Sequence, residues 1–95
     1  MRTTVVNKYK SKFDVYIGRP SKWGNPFPVK VHGREKAIEL YRQWILSGDG
    51  KHLLGDIHEI KGKVLGCFCK PAACHGDVLV DIAEVKHNEQ NKNQT

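Results

Sequence analysis

Residues 66–77 read GCFCKPAACHGD and hold all three cysteines of the chain. They follow the apolar pair Val64-Leu65 and precede Val78 to Ala83, where apolar residues recur at helical spacing. A strand that ends in a turn and leads into a helix is a common place for a ligand in α/β proteins. The sequence therefore predicts a strand, a ligand-binding turn and a helix, in that order.

The rest of the chain supplies the other elements of a small α/β domain. β-branched and aromatic residues predict strands, and an apolar stripe of period 3.6 predicts helices. The predicted strands are Thr3–Asn7, Phe13–Ile17 and Lys63–Phe68. The predicted helices are Arg34–Leu46, Lys51–Glu59 and a last one from Cys74 or His75 to about Lys86. We expect a single α/β domain over residues 1–86, with a small single-layer sheet of two to three strands packed by about three helices, and a polar, disordered tail over residues 87–95.

Composition limits the possible partners and compartments. The formal net charge of +6 over 95 residues favours an anionic partner such as a nucleotide, a nucleic acid or an acidic protein surface. No apolar segment is long enough for a signal peptide or a membrane span, so no membrane partner is expected. An odd number of cysteines without a signal peptide is typical of a reducing compartment. We therefore expect a cytoplasmic protein.

One interpretation of the turn is a ligand site with a reactive thiol. Cys74 would cap the last helix, and the N–H groups of His75, Gly76 and Asp77 would face an anion held also by Lys70. The same helix start would lower the pKa of Cys74 and make it a candidate nucleophile, with His75 or Asp77 as proton-transfer partner. The candidate catalytic residues are Cys74, His75 and Asp77, and the turn adds Cys69, Lys70 and Gly76 as ligand contacts.

Two other interpretations of the turn remain open. Cys67, Cys69, Cys74 and His75 have the ligand types and number of a structural zinc site, although Cys-x-Cys is not the common knuckle spacing. Alternatively the cysteines are buried apolar residues without a chemical role, as free cysteines often are. The ligand-site interpretation predicts no cofactor, whereas the zinc-site interpretation predicts zinc.

The loop Gly18–Pro28 is the second informative stretch, because its prolines and glycines exclude a helix or a continuous strand. Its side chains suit a nucleotide: a guanidinium for a phosphate, an indole for a base and an amide for a polar edge. The candidate ligand residues are Arg19, Ser21, Lys22, Trp23 and Asn25. In the alternative, the indole of Trp23 packs onto the core. Trp44 lies on the helical stripe and is predicted to be core, whereas His32, His52, His58 and His87 are predicted to lie at the surface.

Together the loop and the turn resemble a family of small domains that occur in bacteriophages and bacteria and are catalogued as a domain of unknown function. The resemblance rests on GRPSKWGNPF at residues 18–27 and CFCKPAACHGD at residues 67–77, and it spans about Val5 to Glu84. Phe68 departs from the family, which often has Trp there. The resemblance implies that loop and turn meet at one pocket above the sheet. It also implies a phage-related setting, in which small proteins modify nucleotides or DNA, counter host defences or inhibit a host protein. For a phage-encoded chain, the expected compartment is the cytoplasm of the host cell.

Three functions follow from these observations. The first is a pocket for a nucleotide or nucleic-acid component, with the possibility of an enzyme that acts on it. The second is a zinc-stabilised nucleic-acid-binding module that uses the four ligands named above. The third is a phage-encoded inhibitor that binds a host protein. The sequence does not specify an oligomeric state.

Overall fold

A computed structural model describes residues 2–70 and 72–93 of the chain. Its sheet contains β1 (Thr4–Asn7), β2 (Val15–Tyr16) and β3 (Val64–Cys67), in the order β1-β3-β2, and both neighbouring pairs are parallel. Its helices are α1 (Val29–His32), α2 (Arg34–Ser47), a 3-10 helix (Lys51–Glu59) and α3 (His75–Asn93). The predicted small α/β class is confirmed, with three strands in one sheet and four helices.

The strand register assigns side chains to the two faces of the sheet. Leu65 of β3 lies beside Val5 and Val15, whereas Gly66 lies beside Val6 and Tyr16. Because successive side chains point to opposite faces, Leu65 and Cys67 share one face and Gly66 points to the other. The face that carries Leu65 is buried under the helices and forms the core.

The predicted apolar stripe of α2 packs on that core. Ala37, Tyr41 and Ile45 are buried, and Trp44 is half-buried against them, so the predicted core position of Trp44 is confirmed. From the other side, the buried residues of α3 include Val78 and Leu79. α2 and α3 therefore face each other through the apolar residues that the helical period of 3.6 residues predicts to be buried.

Several element bounds differ from the prediction. β2 is shorter than Phe13–Ile17, and Asp14 just before it uses its carboxylate to accept the Val64 N–H at 2.8 Å. α1 was not predicted, and residues 51–59 form a 3-10 helix. α3 continues past the predicted end at Lys86 to Asn93, so it includes part of the stretch that was predicted to be a separate tail; residues 94 and 95 lie outside the described residues.

The face of the sheet that carries Gly66 also carries aromatic side chains. In the connection between β1 and β2, the Phe13 ring lies directly on Gly66 of β3. A Cβ at Gly66 would be 2.6 Å from that ring. Tyr16 lies beside Gly66 on the same face. Within the described residues, no helix combines the length and the apolarity that crossing a membrane requires.

Candidate functional site

The turn after β3 brings two thiols together. β3 ends at Cys67 and α3 begins at His75, and the turn places the Cys67 and Cys74 sulfurs 3.2 Å apart as free thiols. Both side chains are buried, whereas Cys69 lies past the strand end and is half-buried. Cys67 therefore fits the structural interpretation of a buried apolar residue.

The environment of Cys74 opposes the predicted reactive thiolate. Burial is the main cause that raises the pKa of Cys74 to about 12, and the hydrogen bond with the neighbouring Cys67 contributes to the same rise. The Gly76 N–H, which lowers the pKa, is outweighed. The predicted lowering of this pKa is therefore wrong, because desolvation of the thiolate exceeds the effect of the helix start.

The start of α3 is satisfied by the chain's own groups. The Asp77 carboxylate accepts the Cys74 N–H at 3.2 Å, and the Asp77 N–H donates to the Cys74 carbonyl at 3.0 Å. Lys70 donates to the same carboxylate at 2.6 Å. Burial is the largest single effect on Lys70 and lowers its pKa, but the hydrogen bond to Asp77 and the charges of Asp77, Cys74 and Cys67 together exceed burial, so the net shift is upward. The Asp77 carboxylate thus binds Lys70, which the sequence analysis assigned to a bound anion.

His75 is held as a neutral ring. Its Nε2–H donates to the Ile17 carbonyl at 2.7 Å, and its ring lies edge-on to Tyr41 with 5.0 Å between centroids. Burial lowers the pKa of His75, and the charge of Arg19 lowers it further. In this tautomer Nδ1 carries no proton and can accept a hydrogen bond.

A pocket of about 150 Å³ joins the loop to the turn. Arg19 and Asn25 line it from the loop, and Cys69, Cys74 and His75 line it from the turn. The structure therefore brings five of the predicted site residues together. The remaining lining comes from residues that the sequence analysis did not select, which are Gly18, Phe27, Val29, Arg34, Ile38, Phe68 and Ala73.

Arg34 is the most informative of these additional residues. It is the first residue of α2, and its guanidinium donates to the Ala73 carbonyl at 3.0 Å, which ties α2 to the turn. Arg19 reaches the same pocket from the loop and lies over Gly24, where a Cβ would be 2.7 Å from Arg19 Cγ. Both guanidinium side chains belong to exposed residues, so the rim of the pocket is cationic. The sequence signal for Arg34 was its place directly after Gly33 at the helix start.

Other predicted loop residues lie away from the pocket. Trp23 is only 3% exposed and packs in the core, while its carbonyl accepts the Tyr41 hydroxyl at 2.7 Å. Lys22 forms ion pairs with Asp56 and Glu59 at 3.1 and 2.7 Å. Trp23 is therefore not open to an incoming base, in agreement with the alternative that it packs on the core.

The remaining polar residues of the loop serve the backbone. Asn25 donates to the Ala37 carbonyl at 3.2 Å and accepts the Phe27 N–H at 2.9 Å, so its amide holds the loop against α2. The buried Ser21 hydroxyl has no hydrogen-bond partner among the residues that the structure describes. Gly76 is buried where α3 approaches the sheet and does not line the pocket.

The proposed zinc ligands are not assembled around one point. In the described part of the chain, no group of three or more His, Cys, Asp or Glu side chains is arranged to hold a metal ion. Cys67 and Cys74 are adjacent, but His75 directs its Nε2–H to Ile17. The exposed positions predicted for His32, His52 and His58 are confirmed, and the side chain of His87 lies outside the described residues.

Comparisons with known proteins give a family and two viral relatives. A family model described as a domain of unknown function (DUF4326) matches residues 2–85. An uncharacterized 12.4 kDa protein from the nrdA-td intergenic region of Enterobacteria phage T4 is 42% identical over 80 residues, which cover 82% of this chain and 74% of the phage protein. An uncharacterized protein of Acanthamoeba polyphaga mimivirus is 38% identical over 88 residues, which cover 73% of this chain and 65% of that protein. No solved structure matches the chain. These matches agree with the predicted resemblance to a domain of unknown function with phage members.

Proposed function

The chain belongs to the DUF4326 family of domains of unknown function, and we propose that its pocket binds a nucleotide or nucleic-acid component. The observation that carries the proposal is the convergence of Arg19 and Arg34 from two separate segments on one pocket. A guanidinium forms two parallel, charge-assisted hydrogen bonds with a phosphate, which makes arginine the usual residue for phosphate recognition. Two arginines at one rim favour an anionic ligand over a neutral one.

The size of the pocket limits what enters it. A volume of about 150 Å³ matches the cavities of ~150 Å³ that hold a benzene ring. Phe27, Ile38 and Phe68 supply apolar wall on which a flat ring can pack. The pocket therefore has room for one ring of a base or for a phosphate, and the rest of the ligand would lie on the outside.

His75 supplies a neutral polar group to the pocket. Its lowered pKa keeps the ring neutral at pH 7, and its Nδ1 is available to accept a hydrogen bond from a ligand N–H or O–H. Cys74 lines the same pocket with a protonated thiol. A covalent cysteine mechanism is therefore not part of the proposal, and His75 is the candidate proton acceptor if the ligand is transformed.

The proposal is tested by titrating the protein with thymidine and with thymidine 5′-monophosphate and following amide chemical shifts. We expect the monophosphate to bind more tightly than the nucleoside, because only the monophosphate engages the guanidinium groups. Substitution Arg19→Gln or Arg34→Gln should raise the Kd for the monophosphate at least about tenfold, since a hydrogen bond to a charged group contributes about 1.5–3 kcal/mol.

Arg42→Gln is the matched control, because Arg42 lies on the same helix as Arg34 but pairs with Asp81 outside the pocket. It should leave the Kd unchanged. Arg34→Gln also removes the hydrogen bond to the Ala73 carbonyl. Circular dichroism should show that this variant keeps its fold, so that a higher Kd reports the lost ligand contact and not unfolding. Equal affinities for the monophosphate and the nucleoside, or equal effects of all three substitutions, would remove the proposal.

A further inference from the structure

The face of the sheet that carries Gly66 holds a second set of side chains suited to binding. Val6, Gly66 and Tyr16 lie side by side in the register, so they share this face. The same alternation continues past the strand ends and adds Lys8 after β1 and Phe68 after β3. Together with Tyr9 and Phe13, the residues Lys8, Tyr16 and Phe68 form what we call the aromatic–lysine face.

Three rings of this face surround one ammonium group. Lys8 Nζ lies 4.5 Å from the ring centroid of Tyr16, 4.8 Å from that of Phe68 and 5.1 Å from that of Tyr9. Tyr16 and Phe68 meet edge to face at 5.8 Å, and Tyr9 and Phe68 lie 5.9 Å apart. Tyr9 is nevertheless 74% exposed and Phe68 49% exposed. Large aromatic surface is thus open to a partner beside a fixed positive charge.

Asn7 holds the two segments of the face in place. Its side-chain amide donates to the Lys70 carbonyl at 2.7 Å and to the Phe68 carbonyl at 3.3 Å. Its side-chain oxygen accepts the Tyr9 N–H at 2.9 Å, and its backbone carbonyl accepts the Lys10 N–H at 3.1 Å. The face is therefore organised before any partner arrives, which reduces the entropy cost of binding.

The charge of the face is positive. Lys10 and Lys12 follow Lys8 in the same turn and are exposed. None of these three lysines has a carboxylate within ion-pair distance among the side chains that the structure describes. The nearby Asp14 carboxylate accepts the Val64 N–H. Lysines alternate with aromatic residues here, so positive charge and stacking surface occur together.

We propose that the aromatic–lysine face binds single-stranded nucleic acid. Unpaired bases would stack on Tyr9 and Phe68, and the phosphates would lie along Lys8, Lys10 and Lys12. A duplex keeps its bases stacked inside and cannot use the rings in this way. Phe68 also lines the pocket, so a strand on this face passes its rim. The inference concerns a different surface and does not depend on the pocket binding a nucleotide.

Fluorescence anisotropy tests the proposal with labelled oligo-dT and oligo-U of about 12 nucleotides, a length within the usual site sizes, and with a DNA duplex of equal length. We expect both single strands, or one of them, to bind more tightly than the duplex. Tyr9→Ala should raise the Kd at least about fivefold, because base–aromatic stacking is lost. The double substitution Lys10→Gln, Lys12→Gln should reduce the slope of log K against log salt concentration by about 0.7 for each lysine.

Val31→Ala and Lys51→Gln are the matched controls. Val31 is 73% exposed, close to the exposure of Tyr9, and lies on α1, while Lys51 is exposed on the 3-10 helix. Both should bind as the wild type does. Loss of oligonucleotide binding in Tyr9→Ala with unchanged thymidine monophosphate binding would support a separate face. No binding, equal effects of Tyr9→Ala and Val31→Ala, or duplex binding as tight as that of the single strands would overturn the proposal.

Discussion

Cys74 lies at a helix start, where backbone N–H groups ordinarily lower the pKa of a thiol. Here the thiol is 2% exposed and its sulfur lies 3.2 Å from that of Cys67. Desolvation of the charged form dominates, and the pKa rises to about 12. Cys69 has no such neighbour among the described residues and is half-buried. The chain therefore contains thiols of very different accessibility within one turn.

This difference predicts the order of alkylation. With iodoacetamide at pH 8, Cys69 should react first, and Cys67 and Cys74 should react at least about a hundredfold more slowly, because the thiolate is the nucleophile and both thiols are buried. Mass spectrometry of the native protein should show a single rapid adduct. In denaturant all three cysteines should react alike. Cys69→Ser is the control and should abolish the rapid adduct; a rapid adduct on Cys74 would restore the nucleophile hypothesis.

At the scale of secondary structure, Gly76 fixes how closely α3 approaches the sheet. A Cβ at Gly76 would lie 2.7 Å from Ile17 Cδ1, 2.8 Å from Val5 Cγ2 and 3.2 Å from the Cys74 sulfur. These neighbours belong to three segments of the chain. The glycine is therefore needed for packing, whereas the sequence analysis assigned it to ligand contact.

Gly76→Ala should lower the free energy of unfolding by about 1–3 kcal/mol, the usual cost of an extra carbon in a packed core. Gly55→Ala in the 3-10 helix is the matched control, because a Cβ there has no atom within 4 Å. That substitution should be neutral or stabilising by up to about 1 kcal/mol. Urea denaturation of both variants measures the difference, and equal stabilities would show that α3 can shift without cost.

The element scale also shows how far the sequence can be used for prediction. α2 was predicted from the helical spacing of its apolar residues and β3 from a short continuous apolar run, because in both elements the local sequence specifies which residues are buried. The convergence of Arg19 with His75 was predicted from the resemblance of the two stretches to one family. The pairing of Tyr16 with Phe68 was not predicted, because it depends on the register of β2 against β3, which a two-residue strand does not reveal. The burial of Cys74 likewise depends on packing between distant segments.

At the scale of the whole molecule, Thr3 connects three parts of the chain that are distant in sequence. Its buried hydroxyl donates to Glu84 Oε2 at 3.1 Å and accepts the Gly62 N–H at 2.8 Å. The Thr3 N–H lies 3.4 Å from the same carboxylate oxygen. One side chain thus ties the residue before β1, the turn before β3 and α3. β1 is the neighbour of the central strand β3 in the sheet. These hydrogen bonds therefore hold the starts of both strands to α3.

Replacing this hydroxyl should weaken the whole fold rather than one element. Thr3→Val keeps the shape of the side chain but leaves the Gly62 N–H without its acceptor and removes the hydroxyl donor to Glu84, so the free energy of unfolding should fall by about 1–3 kcal/mol. Thr4→Val is the matched control, since Thr4 is the exposed neighbour in the sequence and its substitution should change stability by about 0.5 kcal/mol or less. Urea denaturation followed by Trp fluorescence and by circular dichroism should give one shared, shifted midpoint for Thr3→Val. Separate midpoints from the two probes would show that Thr3 holds only the edge of the sheet, because a single cooperative unit loses its tertiary and secondary structure together.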